Sequence, residues 1–161
     1  MKVIDTADVY GYTIFCDDIR IEMDGKASFI GSYMGQLSVR EFPAVLPKFG
    51  FGINLYQRRE VFIPDTKLLI FMPGDSEDTA SIQANVADIQ GGEALRQADS
   101  IAGLLPDQKA YVAVRANLII APFTVSQAGV IKVRAVHDDK LIRLGAINIM
   151  QPLQPITPKT S

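Results

Sequence analysis

Residues 15–33 read FCDDIRIEMDGKASFIGSY. Ile19, Ile21 and Met23 alternate with Arg20 and Glu22, the period of two that marks a half-buried strand. Asp24-Gly25 follows at once, and Asp-Gly is a favoured pair for a two-residue type I′ turn. KASFIGSY then returns as the partner strand. A turn at 24–25 predicts Glu22 opposite Ala27, Arg20 opposite Phe29, Asp18 opposite Gly31 and Cys16 opposite Tyr33. The acidic pair Asp17-Asp18 therefore sits at the open end of a first hairpin, and the stretch reads as architecture before it reads as chemistry.

The same period continues outward. In KFGFGINLYQ, Phe49, Phe51, Ile53 and Leu55 alternate with Gly50, Gly52, Asn54 and Tyr56. Glycines confined to one face of a strand predict the close approach of another backbone or a large side chain. Pro43 and Pro47 just before it forbid helix and predict an extended connector or an edge segment. TKLLIFMPGD reads as a buried strand ended by the Pro73-Gly74 turn. GVIKVRAVHDDKLIRLGAINIM reads as a second hairpin, with Ile131, Val133 and Ala135 inward, Lys132 and Arg134 outward, and His137-Asp138-Asp139 in or near the turn. Ile142 and Leu144 have one parity and Ile147 and Ile149 the other, so a bulge at Gly145 is expected to restore the inward face.

One segment differs. Leu95, Ala98, Ile101 or Ala102, and Leu105 recur at helical spacing, which predicts a short helix over about 93–103, ended by Gly103 and Pro106. With turn signals every 8–12 residues and no βαβ alternation, the expectation is an all-β, mainly antiparallel chain: a single β-sandwich of about seven to nine strands over residues 1–150. Residues 151–161 are expected to form an extended, proline-rich tail.

A chain of 161 residues with 48% hydrophobic and 21% charged residues can bury a full core and is not disordered. Sixteen basic residues against eighteen acidic ones give a net charge of −2, without the basic stripe of a nucleic-acid binder, so no nucleic acid is expected as partner. The N-terminal MKVIDTADVYGY carries acids where a secretory signal needs an apolar run, and no run approaches the ~18 residues of a membrane helix. The expected setting is cytoplasmic, with no membrane partner.

FCDDIRIEMDGKASFIGSYMG, then FPAVLPK, then PFTVSQAGVIKVRAVHDDKLIRLGAINI resembles a bacterial and phage family known only as a domain of unknown function. Its outline is similar: a Cys-Asp-Asp opening, a Gly-Lys hairpin turn, an Ile-Gly-x-Tyr return and a Pro-rich link. The resemblance spans most of residues 12–149. It implies a compact β fold and a phage or prophage origin, hence the virion as an alternative location, and it brings no catalytic residue.

Few residues invite chemistry. Cys16 is the only cysteine, which excludes an intrachain disulfide and reads as a small buried hydrophobe. His137 is the only histidine, and a nucleophilic triad would have to use it; it reads instead as a solvated turn residue. Arg58-Arg59 and Glu60 read as a solvated strand end. No phosphate-binding loop of the GxxxxGK[ST] type occurs, and FGFGIN opens no helix. No catalytic, cofactor-binding or metal site is assigned and no cofactor is expected. The runner-up reading gathers Asp17, Asp18, Asp138 and Asp139 around a metal ion, with the acidic loop 75–78 or the glycine face as further small-ligand surfaces. The leading expectation is a non-catalytic protein that works by protein contact, through self-association or as an accessory piece of a larger assembly.

Overall fold

The computed structural model describes residues 7–64, 66–85 and 111–152. Among these, the alternating segments form twelve strands: β1 (Val9–Cys16), β2 (Asp18–Ile21), β3 (Ala27–Ile30), β4 (Gln36–Ser38), β5 (Ala44–Leu46), β6 (Phe49–Arg58), β7 (Lys67–Phe71), β8 (Ile82–Asn85), β9 (Tyr111–Ile120), β10 (Phe123–Val125), β11 (Gly129–His137) and β12 (Lys140–Met150). They build a three-stranded sheet, β1-β6-β9, and a five-stranded sheet, β4-β12-β11-β7-β8. Two small pairs, β2-β3 and β5-β10, complete the structure. All pairings are antiparallel except β4 with β12.

The fold is therefore all-β, as the alternation requires, but its strands are spread over four sheets and do not make one closed sandwich. The count exceeds the expected seven to nine because a strand signal needs several alternating residues, whereas β4, β5 and β10 are three residues each. Such short pairings are set by what lies beside them. β5 sits between Pro43 and Pro47 and pairs only with β10, the edge position expected there. The helix expected over 93–103 and the tail beyond Pro152 lie outside the described residues.

One core serves both large sheets. Phe49, Phe51, Ile53 and Leu55 of β6 and Val112 and Val114 of β9 meet Leu68 and Ile70 of β7, Ile131, Val133 and Ala135 of β11, and Leu144, Ile147 and Ile149 of β12. The expected bulge is present. Val133 pairs Gly145 while Arg134 pairs Arg143, so Leu144 is the extra residue. Leu144, Ile147 and Ile149 consequently all point inward despite their unequal parity.

The first hairpin forms with a different turn. Ile19 faces Phe29 and Ile21 faces Ala27, one residue out of the expected register. Met23–Gly25 make a tight 3-10 turn, in which the Gly25 N–H donates to the Glu22 carbonyl at 3.3 Å and the Glu22 N–H to the Lys26 carbonyl at 2.8 Å. Gly25 has φ +72°. This is the three-residue loop with a left-handed glycine at its end, an alternative use of Asp-Gly to the two-residue turn. The two-residue turn occurs in the second hairpin, where Asp138 and Asp139 have φ of 49° and 57° and His137 pairs Lys140.

The register of the first hairpin puts Ile19 and Phe29 on the same face, and that face lies on the glycines of β6. A Cβ at Gly50 would come within 2.9 Å of the Cys16 sulfur and 3.0 Å of the Ile19 side chain, and one at Gly52 would overlap the Phe29 ring. β6 is thus buried from Phe49 through Leu55 on both faces: bulky residues toward the core, glycines toward the hairpin. Replacing Gly52 by Ala is expected to cost about 1–3 kcal/mol through overpacking. Combining it with Phe29→Ala should cost less than the sum of the two single changes, a coupling read from denaturant unfolding of the four proteins in the cycle.

Candidate functional site

The residues flagged by sequence are held in separate structural roles. Cys16 is fully buried, its thiol donating weakly to the Gly50 carbonyl at 3.8 Å. Burial, more than the neighbouring aspartates, pushes that thiol up, away from thiolate reactivity. Asp17 accepts a hydrogen bond from the Tyr33 hydroxyl. Burial first, and that bond second, raise the Tyr33 phenol well above its ordinary value. Asp18 faces Lys48 at 3.2 Å and Arg20 at 3.7 Å, and the Lys48 bond is the main reason its carboxyl is held low. Asp138 and Asp139 form the turn of the other large sheet. Among the described residues, no three His, Cys, Asp or Glu side chains stand together as a metal ion requires.

His137 is not a solvated turn residue. It is 7% exposed, and its Nε2 lies 2.7 Å from the Val61 carbonyl. A carbonyl only accepts, so Nε2 carries the proton and the ring ties β11 to the connection after β6. As the last residue of β11 it shares the inward parity of Ile131, Val133 and Ala135, and that parity outweighs its closeness to the turn. Arg58 likewise is engaged: its guanidinium pairs with Asp8 at 2.7 Å and Glu60 at 3.0 Å.

Asp75 in the β7–β8 connection is a structural carboxylate. Its Oδ2 accepts the Met72 N–H at 2.8 Å and the Ser81 N–H at 2.9 Å, and its Oδ1 accepts the Ser81 hydroxyl at 2.9 Å. The Met72 amide leads the causes that hold its carboxyl below the ordinary 3.8.

The face that the core leaves free on the three-stranded sheet has a different character. The alternation that turns Val112, Val114, Phe51, Ile53 and Leu55 inward turns Tyr10, Tyr12, Asn54, Tyr56, Tyr111 and Arg115 outward. Register brings them together: Tyr10 faces Tyr56, Tyr12 faces Asn54, Asn54 faces Arg115, and Arg58 faces Tyr111. Tyr10 stacks on Tyr56 with ring centres 5.0 Å apart and meets Tyr111 edge-on at 5.4 Å, while Tyr12 stacks on Tyr56 at 6.5 Å. Arg115 donates to the Asn54 side-chain oxygen at 3.3 Å, and Arg58 with its two acids closes one end. Four of the five tyrosines in the chain thus form one surface. The opposite end of the same face is covered by β2-β3, so the platform is the part of the sheet that the hairpin leaves open.

These rings are half in water. Tyr10 is 37% exposed and Tyr12 48%. Tyr56, between them, is more enclosed, and burial followed by the neighbouring Tyr12 raises its phenol. The platform offers stacked aromatic area with hydroxyl tips and arginines beside it. Tyr10 and Tyr12 already alternate in the sequence, but only the register shows that Tyr56 and Tyr111 join them. No protein-family model, no curated protein and no solved structure matches the chain.

The low Asp75 carboxyl carries a pH consequence. A carboxyl whose folded value is depressed contributes stability in full above its unfolded value and loses it as pH falls through the folded value. Asp75→Asn should therefore destabilise the protein by about 1 kcal/mol at neutral pH. The difference from wild type should shrink once the pH drops below the ordinary 3.8, as read by urea unfolding at a series of pH values.

Proposed function

We propose that this is a non-catalytic β protein that works by protein contact, and that the tyrosine face of β1, β6 and β9 is where contact is made. The observation that supports this is the exposure of Tyr10 and Tyr12 and their stacking on the half-buried Tyr56, beside Arg58 and Arg115. Tyrosine and arginine are enriched where proteins bind one another, because each combines a large contact area with a polar tip. Stacking also holds the rings in place before any partner arrives, which lowers the entropy lost on binding.

The partner that best fits the face is a second copy of the chain. A two-fold interface must complement itself. This face has an aromatic centre; of its two cations, Arg58 is matched by Asp8 and Glu60, and Arg115 is held to the Asn54 side chain. Two copies can therefore meet tyrosine to tyrosine without confronting bare like charges. Service as a repeated or accessory piece of a larger assembly, of the kind the phage-family resemblance implies, is the same reading at larger scale.

Light scattering across micromolar to millimolar concentration tests it. The wild-type chain should shift from one copy to two, and the double change Tyr10→Ser, Tyr12→Ser should remain a single copy over the same range. Because both positions are exposed, the melting temperature of the variant should fall by no more than about 5 °C. A wild-type chain that stays single throughout would sink self-association through this face.

A further inference from the structure

The five-stranded sheet has an outer face of its own, and its chemistry is opposite to that of the tyrosine platform. Lys132 and Arg134 project from β11 and Arg143 from β12, with Arg134 and Arg143 directly across the ladder from one another. Like charges in that cross-strand position repel and destabilise a sheet. Among the described residues the ion pairs gather at Asp18 and Arg58, and none forms with these three cations. Burial and the charge of Arg143 together hold Arg134 below its ordinary value.

The three cations line a cleft of about 470 Å³, together with Phe71, Leu141 and the β7–β8 residues Asp75, Ser76 and Glu77. Arg134 is oriented in it: its Nη1 donates to the Val133 carbonyl at 2.8 Å and to the Gly145 carbonyl at 3.1 Å. Both carbonyls lie at the β-bulge, so the irregularity that restores the core also fixes this guanidinium. Its Nη2 and Nε have no partner among the described residues. Asp75, the nearer acid in sequence to β7, already spends its oxygens on Met72 and Ser81. Glu77 is exposed and forms no ion pair with the cleft cations.

We infer that this cleft is a binding site for a small multivalent oxyanion, gripped by Arg134 and Arg143 with Lys132 as the third charge. The planar fork of each arginine presents paired donors that match phosphate and carboxylate oxygens, and an anion between them removes the cross-strand repulsion. The volume falls within the range of small-molecule sites. Phe71 and Leu141 add apolar walls for the body of an organic ligand. The carboxylates of Asp75 and Glu77 also line the cleft and weaken, without cancelling, the attraction of three cations for the anion.

Calorimetric titration at low salt with pyrophosphate and with citrate tests the site. Saturable binding of at least one is expected: pyrophosphate alone identifies a phosphate-class ligand, citrate alone a polycarboxylate, and both the shared oxyanion chemistry. Arg143→Gln should weaken that binding by about tenfold or more, Arg143→Lys by less, and Glu77→Gln should strengthen it. Arg134→Gln should abolish it; because that residue also braces the bulge, the exposed Arg143 carries the test if the Arg134 variant fails to fold. Absence of saturable binding by either anion, or an affinity untouched by Arg143→Gln, would overturn the assignment.

Discussion

The structure depends on one strand being buried twice. β6 gives Phe49, Phe51, Ile53 and Leu55 to the core and turns Gly50 and Gly52 the other way, where Ile19 and Phe29 of the first hairpin lie on them. A side chain at either glycine would lift the hairpin off the sheet. Without the hairpin, the apolar end of the outer face would be open to water, and the aromatic end would have no boundary. The glycine contact therefore fixes a third layer at one end of the three-stranded sheet and defines where the tyrosine platform begins. A second close approach, at the corner where β1 crosses β12, works similarly. A Cβ at Gly11 would press on the Asn54 carbonyl and Leu144, and one at Gly145 would stand 3.3 Å from Thr13.

Much of this is legible in the sequence. Period-two alternation located the long strands, the Gly50 and Gly52 face announced a covering layer, and the parity break between Leu144 and Ile147 located the bulge. These succeed because each is a local pattern enforced by burial. What failed did so for physical reasons. Asp24-Gly25 is compatible with two turn geometries, and choosing the shorter shifted the hairpin register by one residue. The Asp138-Asp139 pair that follows His137 points to a turn residue, but strand parity carries it inward to the Val61 carbonyl. The three-residue strands had no sequence signal, since their pairing is imposed by neighbours. The tyrosine face was half-visible. Tyr10 and Tyr12 alternate, but Tyr56 and Tyr111 are 55 residues apart in the chain and reach the same face, each against Tyr10, only through the strand register.

The two outer faces divide the chemistry between them. One is aromatic and nearly charge-balanced; the other is cationic and recessed beside an ordered connection. The proposed protein contact and the proposed capture of a small anion need not compete, because they draw on different sheets with a common core between them. The flagged aspartates fall outside both. Asp17 and Asp18 hold the start of the first hairpin against Tyr33 and Lys48, while Asp138 and Asp139 shape the second hairpin's turn. In this chain, acids recur as fasteners of turns and strand ends.

The three-stranded sheet also constrains how the chain reaches its native state. Its strands come from residues 9–16, 49–58 and 111–120, and the Tyr111 hydroxyl bonds to the Ala7 carbonyl across 104 positions of sequence. By contrast, β11 and β12 are neighbours joined by a two-residue turn, and they can zip as a unit. The local hairpin therefore has the head start. The platform sheet closes only after two long loops have paid their entropy, which places the chain in the slow regime of non-local β topologies, roughly milliseconds to seconds. During that interval β6 displays its phenylalanines uncovered. The surface most exposed to premature association is thus the future interior, and the early β11–β12 hairpin, whose Ile131, Val133, Leu144 and Ile147 share that core, is the element placed to cover it.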